Sequence, residues 1–185
     1  MISIKNDQFM MGQSMMIALD VDAFLFDKLL SLSDAGFSVV ELNGLESSLF
    51  TNLSAAFPQL CIGVGSIVSI QQLEEAYLAG AHFATSPGFL PELVQTADIY
   101  SMNYIPGVAT PSEAMHALSL GCEQVRPYPA TFSFCSLLNN LLPSLRLFPA
   151  DIDPSQAAQF LHLPSVSAVS VLNPEISQLR RPEVV

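Results

Sequence analysis

The chain has 185 residues, half of them hydrophobic, and only 12% of them are charged. A chain of this size can bury one substantial core, so residues 1–185 are predicted to form a single domain. Seventeen acidic residues against six basic ones give a formal net charge of -11. Binding to a phosphate backbone depends on clustered Lys and Arg, and this balance therefore argues against nucleic acid as a partner.

The amino-terminal residues and the cysteines bear on the cellular compartment. The first seven residues, MISIKND, contain no basic segment followed by an apolar run, so no secretory signal is predicted. No apolar stretch is long enough to cross a membrane. The three cysteines, Cys61, Cys122 and Cys135, are widely spaced and include no CxxC pair, a pattern typical of reduced thiols. We therefore expect a cytoplasmic protein.

Short β-branched runs alternate with amphipathic runs along the whole chain, which is typical of parallel βαβ units. No GxGxxG or Walker sequence interrupts this alternation, which favours a closed α/β barrel, the (β/α)8 or TIM barrel, over an open doubly wound sheet. Eight strands are predicted, at Met15–Asp20, Ser38–Asn43, Leu60–Gly65, His82–Ser86, Ser101–Ile105, Gln124–Tyr128, Ser144–Phe148 and Val166–Val171.

Four of the intervening helices have clear limits in the sequence. Thr110 precedes Pro111, and Glu113 follows three residues after Thr110, which predicts a capping box. The four helices are Ala23–Ala35, Ile70–Ala79, Pro111–Leu120 and Pro154–Leu161.

The segment of residues 172–185 is too short and too rich in proline for a full helix, so the eighth helix is predicted to be truncated or missing. Apolar surface left open in this way is usually covered by another subunit, and we expect an oligomer.

Three consecutive segments carry a resemblance to a known family. They are Ile62-Gly-Val-Gly-Ser-Ile-Val, Ala79-Gly-Ala-His-Phe-Ala-Thr-Ser-Pro-Gly and Ile105-Pro-Gly-Val-Ala-Thr-Pro-Ser-Glu. Their order at the ends of predicted strands resembles the 2-keto-3-deoxy-6-phosphogluconate (KDPG) and 4-hydroxy-2-oxoglutarate (KHG) aldolases, over about residues 16–171. The resemblance implies a compact TIM barrel, a homotrimer, a small 2-oxo acid such as pyruvate as ligand, and no separate cofactor.

The resemblance also implies candidate site residues. Family members are class I aldolases, in which a lysine forms a Schiff base with pyruvate and a glutamate moves protons. Glu41 matches that glutamate, Ser66 matches a threonine beside the substrate, and Pro106 and Thr110 match as they stand. Glu41 is thus a candidate catalytic residue and the other three are candidate substrate-binding residues, although an N-cap threonine also serves its helix alone.

The nucleophile of the family is replaced in this chain. Pro129-Ala130 aligns with a Pro-Ala pair of the family, which places Arg126 on the Schiff-base lysine. A guanidinium stays protonated in proteins and cannot attack a carbonyl as a free amine. The only lysines, Lys5 and Lys28, lie outside the predicted strands. Schiff-base catalysis is therefore predicted to be absent, with Arg126 paired to Glu41 across the barrel mouth.

The anion-binding residues of the family are also changed. Leu45 stands where the resemblance implies an arginine that grips the substrate carboxylate. Phosphate is normally held by glycine amides after the last two barrel strands. Here the first of these loops reads Pro149-Ala-Asp-Ile-Asp, and Asp151 and Asp153 would repel a phosphate dianion.

Two functions remain open from the sequence. The first is a non-catalytic relative that keeps a pocket for a small ligand or a protein partner. The second is a divergent carbon–carbon lyase that acts on a 2-oxo acid through Glu41 and a divalent metal, bound by oxygen ligands near the strand ends. The aspartates among these acids would also suit helix caps, and no metal ligand is assigned to the scattered histidines His82, His116 and His162. The acids in question are Asp20, Asp22, Glu41, Asp151 and Asp153.

Overall fold

The computed structural model describes residues 7–44 and 46–180 and has an α/β fold on a curled parallel sheet. The strands are β1 (Met15–Asp20), β2 (Val39–Asn43), β3 (Cys61–Gly65), β4 (Phe83–Thr85), β5 (Asn103–Ile105), β6 (Gly107–Val108), β7 (Gln124–Pro127), β8 (Arg146–Leu147) and β9 (Val169–Leu172). The helices are α1 (Leu25–Asp34), α2 (Ser47–Ala56), α3 (Ile70–Leu78), α4 (Pro91–Ile99), α5 (Pro111–Ser119), α6 (Phe132–Leu141) and α7 (Ala157–Leu161).

The strands form two parallel sheets, one in the order β5-β4-β3-β2-β1-β9 and one in the order β6-β7-β8. The sheets adjoin at Pro106, which separates β5 from β6. They adjoin again where Leu147 of β8 pairs in parallel with Val166. There the amide of Leu147 donates to the carbonyl of Ser165 at 2.7 Å, and the amide of Ser167 donates to the carbonyl of Leu147 at 3.0 Å. The α/β class predicted from the sequence is confirmed.

Two hydrophobic clusters lie on opposite faces of the sheet, because successive strand side chains point to opposite sides. The larger cluster packs the strands against the helices. The smaller one joins residues of β1 to β5, together with Phe148 and Ala168, to Phe9 and Met10 of a 3₁₀ turn at Asp7–Met10. The ring centroid of Phe9 lies 5.0 Å from that of Phe83 and 5.9 Å from that of Phe148. This cluster forms an apolar floor, and the next residues on the same face of each strand lie nearer the carboxyl ends.

Most predicted boundaries agree with the structure to within a few residues. Thr110 and Glu113 form the predicted capping box at the start of α5. The predicted helix Pro154–Leu161 is divided, because Asp153 caps a 3₁₀ turn at Pro154–Gln156 before α7 begins. The predicted last strand began at Val166, which is wrong, since Val166 pairs alone with Leu147 and β9 starts three residues later.

The segment after β9 contains a 3₁₀ turn at Ile176–Gln178 within the described residues. Leu179, just beyond this turn, is buried in the larger hydrophobic cluster. Residues 181–185 lie outside the described part, and the truncated eighth helix stays a prediction. Among residues 7–44 and 46–180, we find no helix with the length and apolar character needed to span a membrane.

Candidate functional site

Arg126 on β7 and Glu41 on β2 meet at the carboxyl end of the curled sheet. Nη1 of Arg126 donates to Oε2 of Glu41 at 2.6 Å and to Oγ1 of Thr85 at 2.8 Å, and Nη2 donates to Oγ of Ser170 at 3.5 Å. Arg126 is 8% exposed and Glu41 is 1% exposed. The pairing expected from the sequence is therefore present, and two hydroxyls complete the environment of the guanidinium.

Strand alternation explains why these side chains converge. Glu41 follows Val39 by two residues, Thr85 follows Phe83, and Ser170 follows Ala168, so each polar residue lies directly above a member of the apolar floor. The site is thus a buried polar layer on an apolar base. Arg126 reaches this layer from the second sheet. The hydrogen bonds of its guanidinium therefore connect the two sheets.

Gly65 leaves the space that the carboxylate of Glu41 occupies. A Cβ atom at residue 65 would lie 2.5 Å from Oε1 of Glu41 and 2.5 Å from Oδ1 of Asn43. Such a separation is far below van der Waals contact, so either β3 or the two side chains would have to move. The absence of a side chain at the end of β3 therefore allows Glu41 to take the position in which it pairs with Arg126.

A cavity of about 90 Å³ lies above the ion pair at the carboxyl ends of the strands. Its walls are mostly polar, with hydroxyl, amide, carboxylate and guanidinium groups, and Ser66, a residue predicted to bind substrate, is part of the lining. Pro106 does not line it but is buried, and its carbonyl accepts from the amide of Arg126 at 2.8 Å. Thr110 is exposed and caps α5. The lining residues are Glu41, Asn43, Ser66, Thr85, Ser86, Pro87, Arg126, Tyr128, Asp151 and Leu172.

A chain of hydrogen bonds runs along one side of this cavity. Both carboxylate oxygens of Asp20 accept, Oδ1 from Nδ2 of Asn43 at 3.1 Å and Oδ2 from Nδ2 of Asn173 at 2.7 Å. Oγ of Ser66 donates to Oδ1 of Asn43 at 3.3 Å. Ser66, Asn173 and Asp151 have φ values of 61°, 42° and 55°. Left-handed backbone at such residues costs about 1–3 kcal/mol and tends to occur at functional sites.

Four of the five acids considered as metal ligands, all except Asp151, have separate partners. Nζ of Lys28 lies 2.5 Å from Oδ2 of Asp22, and this hydrogen bond holds the pKa of Asp22 below its usual value. Hydrogen bonds from Ser155 likewise lower the pKa of Asp153. In the part of the chain that the structure describes, no three His, Cys, Asp or Glu side chains come together in a way that could hold a metal ion. The geometry therefore does not bring the predicted acids into one metal site.

Four residues of the site carried no clear signal in the sequence, and they are Thr85, Ser170, Asn43 and Tyr128. Each lies on the same face of its strand as a neighbouring site residue or member of the apolar floor, so alternation along the strands was the signal that could have found them. Two sequence expectations, the missing arginine at Leu45 and the location of Lys5, fall outside the described residues. Lys28 lies in α1 and pairs with Asp22.

A family model and curated relatives point to the same family. A family model described as "Aldolase: KDPG and KHG aldolase" matches residues 15–176. A 2-dehydro-3-deoxy-phosphogluconate aldolase of Pseudoalteromonas atlantica is 29% identical over 119 residues, which are 62% of this chain and 55% of the relative. The chain thus spans about half the length of that curated relative.

Solved structures show the same fold. The 2-keto-3-deoxy-6-phosphogluconate aldolase of Zymomonas mobilis is 24% identical, with a TM-score of 0.82 over 89% of this chain and 84% of that one. The KDPG aldolase of Legionella pneumophila, with pyruvate captured as a covalent carbinolamine intermediate, is 24% identical. Its TM-score is 0.79 over 88% of this chain and 84% of its own.

Proposed function

This chain belongs to the KDPG and KHG aldolase family, and we propose that it is a member without Schiff-base catalysis, a non-catalytic relative that keeps a small ligand pocket. One observation carries the proposal: Nη1 of Arg126, the residue that the resemblance aligns with the family's lysine, lies 2.6 Å from Oε2 of Glu41. The nucleophile is thereby replaced, and the carboxylate beside it is occupied as a counter-ion.

The ion pair affects both chemical steps of a class I aldolase. Schiff-base formation needs a neutral amine, and the guanidinium of Arg126 stays protonated and has a delocalised lone pair. Proton transfer needs a carboxylate that can accept and release a proton beside the substrate. Here Oε2 of Glu41 accepts a charge-assisted hydrogen bond from Arg126 at 2.6 Å, so this oxygen is engaged by the guanidinium and not by a substrate. Lys28 does not replace the nucleophile, because it lies on α1 beside Asp22.

The proposal includes a closed (β/α)8 barrel as the scaffold. Eight parallel strands result when β5 and β6 are counted as two halves of one strand around Pro106. The pairing of Leu147 with Val166 supports closure on the other side. Further support comes from the bonds of Arg126, on the three-stranded sheet, to Glu41, Thr85 and Ser170 on the six-stranded sheet, since these groups would face each other across a barrel interior.

We propose a small 2-oxo acid such as pyruvate as the first ligand to test, because the Legionella pneumophila relative was captured with pyruvate. The proposal adds no cofactor.

The proposal also includes a homo-oligomer, with a trimer as the form that the family resemblance implies. Phe24, Leu78 and Ile99 are 67%, 82% and 79% exposed, and apolar side chains of this size are commonly covered by a second subunit. The free thiols of Cys61 and Cys135 fit a cytoplasmic location.

The divergent lyase is the alternative, and one assay separates it from the proposal. Release of pyruvate from 2-keto-3-deoxy-6-phosphogluconate and from 4-hydroxy-2-oxoglutarate is followed with lactate dehydrogenase, with magnesium or manganese and with a chelator. An active aldolase of the family is the positive control. We expect no release above the rate in buffer under any condition. Release that depends on the metal and is lost in Glu41→Gln would support the lyase and overturn the proposal.

A further inference from the structure

We infer that the cavity above Arg126 and Glu41 takes a small uncharged hydroxy- or oxo-carbonyl compound in preference to a carboxylate anion. The inference rests on the proposed function, in which this cavity binds a small 2-oxo compound, and it changes the charge class of that ligand, so that pyruvate should bind more weakly than its uncharged amide. It is carried by the balance of charges around the cavity and by the hydrogen-bonding groups that line it.

The charges that line the cavity leave one carboxylate without a counter-ion. The lining contains Glu41, Asp151 and Arg126 as its charged residues. Arg126 and Glu41 neutralise each other at 2.6 Å. The salt bridges among the described residues join Lys28 to Asp22 and Arg126 to Glu41. In that part of the chain, no Lys, Arg or His therefore lies within ion-pair distance of Asp151. A ligand carboxylate in the cavity would therefore meet a net negative charge.

A cleft beside the cavity has the same sign of charge. A neighbouring cleft of about 740 Å³ shares Asp151 and Leu172 with the cavity. Its lining adds Asp153 and Glu175, against Arg180 as the single cation of that lining. Hydrogen bonds from Ser155 lower the pKa of Asp153, so this residue stays ionised at neutral pH. A cleft lined mostly by one sign of charge lowers the local concentration of ions of that sign.

The hydrogen-bonding groups of the cavity suit an uncharged ligand. Ser66, Thr85 and Tyr128 supply hydroxyls. The hydroxyl oxygen of Thr85 already accepts from Arg126, which leaves its proton for another acceptor. Nη2 of Arg126 has its bond to Ser170 at 3.5 Å, longer than the usual range for an N–H donor. A carbonyl oxygen and a hydroxyl on one small molecule match these donors and acceptors without adding charge.

Matched pairs of ligands test the inference by calorimetry or ligand-detected NMR at constant ionic strength. Pyruvate is compared with pyruvamide and lactate with lactamide, since the members of each pair differ mainly in charge. In the wild type, we expect each amide to bind at least about threefold more tightly than its acid. Asp151→Asn should raise the affinity for both acids by about threefold and leave the amides unchanged. Asp27→Asn, an exposed position on α1 that lines neither cavity, should change none of the four affinities.

The outcomes separate the inference from the function on which it rests. If pyruvate and lactate bind as tightly as their amides, or more tightly, the inference is overturned and the ligand pocket stands. If Asp27→Asn changes the affinities as much as Asp151→Asn, the overall net charge accounts for the effect and the inference is overturned as well. If none of the four compounds binds at millimolar concentration, the proposed ligand pocket itself fails, and the inference fails with it.

Discussion

Nη1 of Arg126 and Oε2 of Glu41 lie 2.6 Å apart in an environment that exposes 8% of the arginine and 1% of the glutamate. A buried ion pair contributes little net stability when both partners are present, because each charge lost its hydration on burial. The cost appears when one partner is removed, since the other charge then stays buried and uncompensated. The pair is therefore a part of the architecture, and the stability of single variants reports on it.

Glu41→Gln should lower the free energy of unfolding by about 3–5 kcal/mol, because the guanidinium of Arg126 loses its counter-ion. Urea unfolding at neutral pH measures the change. Glu92→Gln, an exposed position in the first turn of α4, is the control and should cost less than about 1 kcal/mol. Equal stability of wild type and Glu41→Gln without ligand would contradict a structural ion pair.

The double variant Glu41→Leu with Arg126→Met should be more stable than either single variant. Both charges leave together, and the new side chains continue the apolar floor around Phe83. Urea unfolding of the three variants forms a double-mutant cycle. Additive losses in this cycle would mean that the two residues do not interact, contrary to the 2.6 Å contact.

Gly65→Ala should destabilise the protein by about 1–3 kcal/mol, because the new Cβ would overlap Oε1 of Glu41 and Oδ1 of Asn43. Gly88→Ala is the matched control. A Cβ at residue 88 would have no heavy atom within 4 Å, so this change should be close to neutral. Thermal melts of both variants measure the difference. A Gly65→Ala variant as stable as Gly88→Ala would show that the site has more freedom than the structure indicates.

Alkaline pH should destabilise the fold through two buried thiols. Burial raises the pKa of Cys61 and of Cys135 to about 12, above the ordinary value of 9.0. Between pH 9 and pH 12, the two thiols lose their protons in the unfolded chain and keep them in the folded chain. The free energy of unfolding therefore falls as pH rises. Urea unfolding at neutral pH and near pH 10.5 measures the fall. The fall should be smaller in Cys61→Ala with Cys135→Ala, and an unchanged fall in this variant would contradict the assignment.

Phosphorylated sugar acids should bind no more tightly than their unphosphorylated counterparts. Asp151 and Asp153 are exposed in the loop after β8 and oppose a phosphate dianion there. Calorimetry with 2-keto-3-deoxy-6-phosphogluconate and 2-keto-3-deoxygluconate measures the ratio. A preference of more than about tenfold for the phosphorylated form, or about 1.4 kcal/mol, would contradict this expectation.

The sequence led to Glu41 and Arg126 through the family resemblance, and a single carboxylate in an otherwise apolar strand further marked Glu41. Thr85 and Ser170 were missed, because hydroxyls are common in strands and their meeting with Arg126 depends on how distant strands are arranged in space. The left-handed backbone of Ser66 was also unpredictable, because serine has no strong preference for positive φ. Local signals predicted the capping box of α5, which depends on neighbouring residues alone.

The central claim is that no residue of this protein forms a Schiff base with pyruvate. The measurement is the intact mass of the protein after incubation with pyruvate and borohydride, beside an active family aldolase treated in the same way. Since Arg126, which the resemblance aligns with the family's lysine, cannot act as an amine nucleophile and lies 2.6 Å from Glu41, we predict a stable adduct on the control and an unchanged mass for this chain. A reduced pyruvyl adduct on this protein in its folded state would contradict the account.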